Sequence, residues 1–179
     1  MTKMITYNKI KVDDCNVFYR EAGSNDNPAI LLLHGFPSAS HMFRELMPQL
    51  CNEYYLVAPD FPGFGQTESP SRNKFEYSFD HLAKIVDKFT EQIGLSKFSM
   101  YVFDYGAPIG YRLALWHPER ITAIVSKTVI CMKRDWARSG MLARHIGRIP
   151  RQNFVSSFRQ HLPLKQSSDS TLSAHLKAA

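Results

Sequence analysis

The sequence predicts an α/β protein built on a mostly parallel, doubly wound sheet, with antiparallel strands at its N-terminus. Three observations predict it. Ala29-Ile-Leu-Leu-Leu33 and Tyr54-Tyr-Leu-Val-Ala58 are continuous apolar runs rather than alternating ones, as expected of strands covered on both faces. Segments of helical periodicity separate such runs, so that strand and helix alternate along the chain. Between Phe98 and Tyr111 the chain passes from a strand-like run directly into a helical pattern through Asp104-Tyr-Gly106.

In chain order, Met4–Val12 and Asn16–Arg20 read as two antiparallel strands turned at Asp13-Asp14. Gly23–Pro28 is a loop by composition, and Ala29–Leu33 is the first buried strand. Met42, Phe43, Leu46, Met47 and Leu50 recur at spacings of three and four, predicting a helix over Ser40–Leu50 that Pro48 disturbs near its end. Tyr54–Ala58 is the next strand, closed by Asp60 and a loop from Phe61 to Pro70. Phe79, Leu82, Ile85, Val86, Phe89 and Ile93 mark one face of a helix, capped by Ser78 or Asp80 and ended by Gly94. Phe98–Phe103 is a strand, and the helix after it ends before His117-Pro118. Ile121–Val125 is one more short strand.

With 179 residues, 44% of them hydrophobic, the chain can form one domain with a sizeable core. The formal charge of +6 is unevenly spread. Residues 1–126 hold 12 Lys/Arg against 14 Asp/Glu, a net of −2, whereas residues 127–179 hold 10 against 2, a net of +8. Cys15, Cys51 and Cys131 are an odd set without zinc spacing, read as free thiols in a reducing compartment. The opening residues are polar, and no apolar run approaches a membrane span. The expectation is a cytoplasmic protein with no cofactor and no metal site.

Phe98–Tyr111 carries the chemistry. Strand, sharp turn and helix with one carboxylate at the apex form the geometry of a nucleophile elbow. Small neighbours are needed where the strand and helix backbones approach, and Gly106 and Gly110 supply them. Val102 stands where a further small residue is expected. No Gly-x-Ser-x-Gly occurs, and Ser99 lies inside the strand, which argues against a serine nucleophile. Asp104 as a mere helix cap is the plainer alternative.

Val102-Phe-Asp-Tyr-Gly-Ala-Pro-Ile-Gly110, together with His34-Gly-Phe-Pro37 and Pro59-Asp-Phe-Pro-Gly-Phe-Gly65, resembles the α/β-hydrolase family. The branch it resembles carries an aspartate nucleophile and includes epoxide hydrolases and haloalkane dehalogenases. The resemblance runs from about the N-terminus to Val129. It implies that Asp104 is the nucleophile, that the backbone N–H groups of Phe36 and Tyr105 form the oxyanion hole, and that His34 shapes the oxyanion loop structurally. A carboxylate attacking an epoxide or alkyl halide gives an alkyl–enzyme ester, which water then cleaves. The implied partner is a small-molecule substrate. Tyr105 beside the nucleophile and Phe36 after His-Gly lean toward the epoxide-hydrolase side. Asp60 is read as bonding its own loop, and His117 is given no role.

The chain divides accordingly into residues 1–129, the N-terminal part of a hydrolase domain, and a basic tail over 130–179. The tail carries patchy helical stripes and a Ser-rich end, residues 164–179, expected to be disordered. The family's general base lies near the C-terminus, and the candidates there are His145, His161 and His175. None sits between a strand and a helix or near a suitable acid. No acid follows the strand at Ile121–Val125 either. The expectation is a truncated, turnover-impaired hydrolase, of the kind a shifted frame, an alternative splice or a truncation would produce. The alternative is a non-catalytic scaffold whose basic tail binds an anionic partner. Nucleic acid is disfavoured in that role.

Overall fold

The structure, a computed structural model, describes residues 5–129. The readings for the basic tail, including its disorder and its three histidines, fall outside the described residues.

Six strands form one sheet: β1 (Thr6–Val12), β2 (Cys15–Ala22), β3 (Ala29–Leu33), β4 (Tyr55–Pro59), β5 (Phe98–Asp104) and β6 (Ile121–Val129). Their spatial order is β1-β2-β4-β3-β5-β6. β1 and β2 pair antiparallel around a turn in which Asp13 takes φ 49°, and β2 runs antiparallel to β4. From β4 outward every pairing is parallel. The helices are a single turn α1 (Met47–Leu50), then α2 (Phe79–Gln92) and α3 (Gly106–Trp116).

The apolar runs have the predicted cause. In β3, Leu31 and Leu33 join the core beneath α2 and α3, while Ile30 and Leu32 join a second core beneath α1 and Tyr54. All four are essentially inaccessible to water. Burying each contributes about 2 kcal/mol, so this five-residue strand is a main tie between the two layers. α2 buries Leu82, Ala83, Ile85, Val86 and Phe89 along one stripe. Its N-cap is Ser78, whose Oγ accepts from the His81 N–H at 3.2 Å. Gly94, at φ 75°, lies just beyond its end.

Two elements differ from expectation. Ser40–Leu50 is not one helix: it splits into a 3₁₀ turn, Ser40–Phe43, and α1. Pro48 falls in the first turn of α1, where its missing N–H costs nothing, so it opens the second piece rather than ending the first. The buried Phe43, Leu46, Met47 and Leu50 keep helical spacing because both pieces face the same core. β6 is also longer than the short strand expected, continuing to Val129 opposite Asp104.

Candidate active site at the end of β5

Asp104 is the last residue of β5 and takes φ 50°, a left-handed conformation that a non-glycine residue adopts at some cost. The turn redirects the chain at once into α3. The carboxylate thereby sits, partly exposed, at the carboxyl end of the parallel strands, beside the N-terminus of a helix. The departure at Val102 is accommodated from the helix side. A Cβ on Gly110 would lie 2.5 Å from Val102 Cγ1, so the valine occupies space that the glycine leaves open.

Two backbone donors converge on one oxygen of this carboxylate. The Phe36 N–H donates to Asp104 Oδ1 at 2.9 Å, and the Tyr105 N–H donates to the same atom at 2.8 Å. The structure thus brings together Phe36, Tyr105 and Asp104. Both bonds go to Oδ1 rather than being shared with Oδ2. Gly35 permits the approach: a Cβ there would stand 2.6 Å from Asp104 Cβ and 2.7 Å from the Phe103 ring.

His34 lies behind this arrangement, fully buried. Its Nε2 accepts from the Phe61 N–H at 3.1 Å, which places the ring proton on Nδ1, 3.0 Å from the Gly35 carbonyl. Burial lowers its pKa below the ordinary histidine value, against upward pulls from the Gly35 carbonyl and the Asp60 charge. With both nitrogens bound to backbone, the ring ties the 34–40 loop to the segment after β4. Asp60 is also buried and bonds its surroundings as the sequence suggests: Oδ1 accepts from the Ser40 N–H at 2.7 Å and Oδ2 from the Gln66 N–H at 2.8 Å.

Aromatic rings cluster around Tyr105, the residue that follows Asp104. The Tyr105 ring lies 5.5 Å from Phe36, 6.2 Å from Phe64 and 5.1 Å from Phe79, centroid to centroid. Phe36 is 58% exposed, so the rim is apolar and open. Helical periodicity places Phe79 on the face of α2, but its meeting with Tyr105 and Phe64 depends on how α2 and α3 pack, which local pattern does not encode.

Two other features are weaker candidates. An open groove of about 550 Å³, lined in part by Pro28, Ala29, Tyr55, Leu95 and Lys97, lies where β3, β4 and β5 begin. That is the end of the parallel strands opposite Asp104, away from where such sheets place ligands. Asp87, Glu91 and His117 offer donor atoms within 4.8 Å of one another. Arg120 already supplies the positive charge there, 3.0 Å from Asp87 Oδ1, while His117 Nε2 lies 3.0 Å from Asp87 Oδ2. Arg120 also bonds Thr90 Oγ1 and the Leu95 carbonyl, so the cluster staples α2 to the chain after α3. His117 therefore has a structural partner that its place before Pro118 did not signal.

A mostly parallel sheet with a carboxylate on a strand–turn–helix apex, and two backbone donors facing it, is the arrangement of a hydrolase-type site. The alpha/beta hydrolase fold family matches residues 28–161, and the chain belongs to that family. The match extends beyond Val129, further than the three sequence motifs reach. Over 122 residues the chain is 52% identical to an uncharacterized hydrolase of Saccharomyces cerevisiae, covering 68% of this chain and 41% of that protein. Over 118 residues it is 31% identical to a haloalkane dehalogenase of Bradyrhizobium diazoefficiens, covering 66% and 37%. Among solved structures, a mutant of the Vigna radiata epoxide hydrolase superposes with a TM-score of 0.63 at 30% identity, covering 68% of this chain and 38% of that one. The chain spans about two fifths of the length of these curated relatives. Among the described residues, no helix is long and apolar enough to cross a membrane.

Proposed function

We propose that Asp104 is the nucleophile of an epoxide-opening hydrolase. The observation that carries this reading is the convergence of the Phe36 and Tyr105 N–H groups on Oδ1. One carboxylate oxygen is fixed, and the other is left to attack. Oδ2 forms a bond to an epoxide carbon as the ring C–O bond breaks. The ring oxygen leaves as an alkoxide and takes up a proton from solvent water, giving a hydroxyalkyl ester. Oδ1 is then the ester carbonyl oxygen. When water adds to Cγ, negative charge develops on Oδ1, between the two donors already in place.

The rim favours an epoxide over an alkyl halide. A departing halide needs side-chain N–H donors beside the nucleophile, and among the described residues the two that hydrogen-bond Asp104, Phe36 and Tyr105, carry phenyl and phenol rings. Trp116, the only indole among the described residues, sits at the far end of α3. Turnover is the weaker half of the reaction. No histidine among the described residues hydrogen-bonds Asp104, and the test of the proposal therefore reads formation of the ester.

Intact mass after exposure to a reactive aryl epoxide tests the proposal. The expected product is one adduct that adds the whole mass of the epoxide, maps to Asp104 and is absent from Asp104→Ala. An alkyl halide would instead add its mass less that of the hydrogen halide, and is expected to label more slowly. A folded protein that stays unlabelled, or a label that persists in Asp104→Ala, overturns the assignment.

A further inference from the structure

The 34–40 loop has an unusual distribution of anchors. Phe36, which supplies one of the two donors, is 58% exposed and has little burial to hold it. The loop is instead gripped at both ends by two consecutive residues just beyond β4. At one end the Phe61 N–H bonds His34 Nε2, and at the other Asp60 Oδ1 accepts the Ser40 N–H. A single turn, Ser38 N–H to the Gly35 carbonyl at 3.0 Å, braces the span between.

We propose that Asp60 is a positioning residue for the oxyanion hole, holding the Ser40 end of the loop so that the Phe36 N–H stays aimed at Asp104 Oδ1. This rests on the reading of Asp104 given above. Asp60 is only 2% exposed and is fixed on several sides. Its N–H donates to the Phe18 carbonyl at 2.8 Å, its carbonyl accepts from Thr67 Oγ1 at 2.7 Å, and its Oδ2 accepts from Gln66. Ser40 is held a second time, its Oγ accepting from Arg20 Nε at 3.0 Å. Only a carboxylate satisfies the geometry at residue 60, because backbone N–H groups approach both of its oxygens. A carboxamide would turn an N–H₂ group toward one of those donors and leave both unpaired in a buried site.

The test compares Asp60→Asn with Asp87→Asn, a substitution in the α2 staple that breaks a part-buried carboxylate network. Two readouts are taken: the rate of aryl-epoxide labelling at Asp104, and hydrogen exchange of the Phe36 amide by NMR. In Asp60→Asn, labelling is expected to slow by about tenfold or more, and Phe36 exchange to accelerate. In Asp87→Asn both are expected to match the parent even where the melting temperature falls. Should Asp60→Asn not fold, Ser40→Pro removes the donor to Oδ1 and also the Oγ that accepts from Arg20, and Ser40→Ala, which loses only the Oγ, is its control. Ala39 is already extended, as a residue before proline requires. Unchanged labelling and unchanged Phe36 exchange in a folded Asp60→Asn or Ser40→Pro protein overturn the proposal. A parent that never labels overturns the nucleophile reading alone, since Phe36 exchange still decides whether Asp60 positions the loop.

Discussion

Phe36 and Asp104 are 68 residues apart in sequence and joined by one hydrogen bond of 2.9 Å, from the backbone of an exposed loop to a side chain at the end of a central strand. The contact exists because β3 and β5 are parallel neighbours, with Leu33 registered on Val102, so that the chain leaves both strands at the same end of the sheet. Such contacts between distant segments make the molecule sensitive to single substitutions well away from Asp104 itself.

Gly35→Ala should damage the site without direct contact with substrate. The new methyl carbon would meet Asp104 Cβ and the Phe103 ring at distances no side chain tolerates, so the loop must lift. The expected cost is about 2 kcal/mol of stability, with a loss of labelling at Asp104 larger than that in any rim substitution. Thermal melts alongside intact-mass kinetics check it; full labelling with an unchanged melt would refute it.

Arg120→Ala should be among the most destabilising changes outside the sheet. The guanidinium, 14% exposed, serves Asp87, Thr90 and the Leu95 carbonyl, and its removal leaves Asp87 facing only His117. A loss of about 3 kcal/mol is expected in chemical denaturation. Replacing Asp87 and Arg120 together should cost less than the two single losses added.

Stability should fall on acidification through the ordinary titration range of histidine. His34 is neutral when folded and its pKa is lowered by burial, whereas in the unfolded chain it titrates near 6.5. Below that value the unfolded chain binds a proton that the folded ring refuses. The stabilisation is therefore complete above pH 6.5 and declines as the pH drops beneath it. Melting temperatures across roughly pH 5 to 8 measure this, and His34→Gln should flatten its share of the slope.

Ser78→Ala should cost about 1 kcal/mol, because it removes the acceptor for the His81 N–H at the start of α2. Glycine at the same position should recover most of that loss, since without a side chain it leaves the free N–H groups of the first turn open to water. Chemical denaturation of the parent and the two variants gives the comparison, and equal midpoints for all three would refute it.

Much of this arrangement is legible in the sequence because its determinants are local. Continuous apolar runs mark strands buried on both faces, and Asp104-Tyr-Gly106 marks the turn between strand and helix. The cap at Ser78 is likewise written in neighbouring residues. The parts that are not legible depend on elements meeting across the fold. Ser40–Leu50 forms two pieces whose buried residues share one core with Tyr54 and Leu56, so their apolar spacing alone does not show the break. The Asp87–His117–Arg120 staple joins residues about thirty positions apart, and no spacing rule connects them. The double grip of Asp60 and Phe61 on the 34–40 loop is of the same kind.

The φ of 50° at Asp104 also bears on how the molecule responds to selection. Glycine would occupy that backbone conformation without the roughly 1 kcal/mol that aspartate spends there. Glycine at residue 104 would also remove the acceptor of two backbone N–H groups, so relief of strain and loss of hydrogen bonds oppose each other in a screen for heat resistance. On the role proposed for Asp104, durability and reactivity meet at one residue, where backbone strain and carboxylate cannot be adjusted separately.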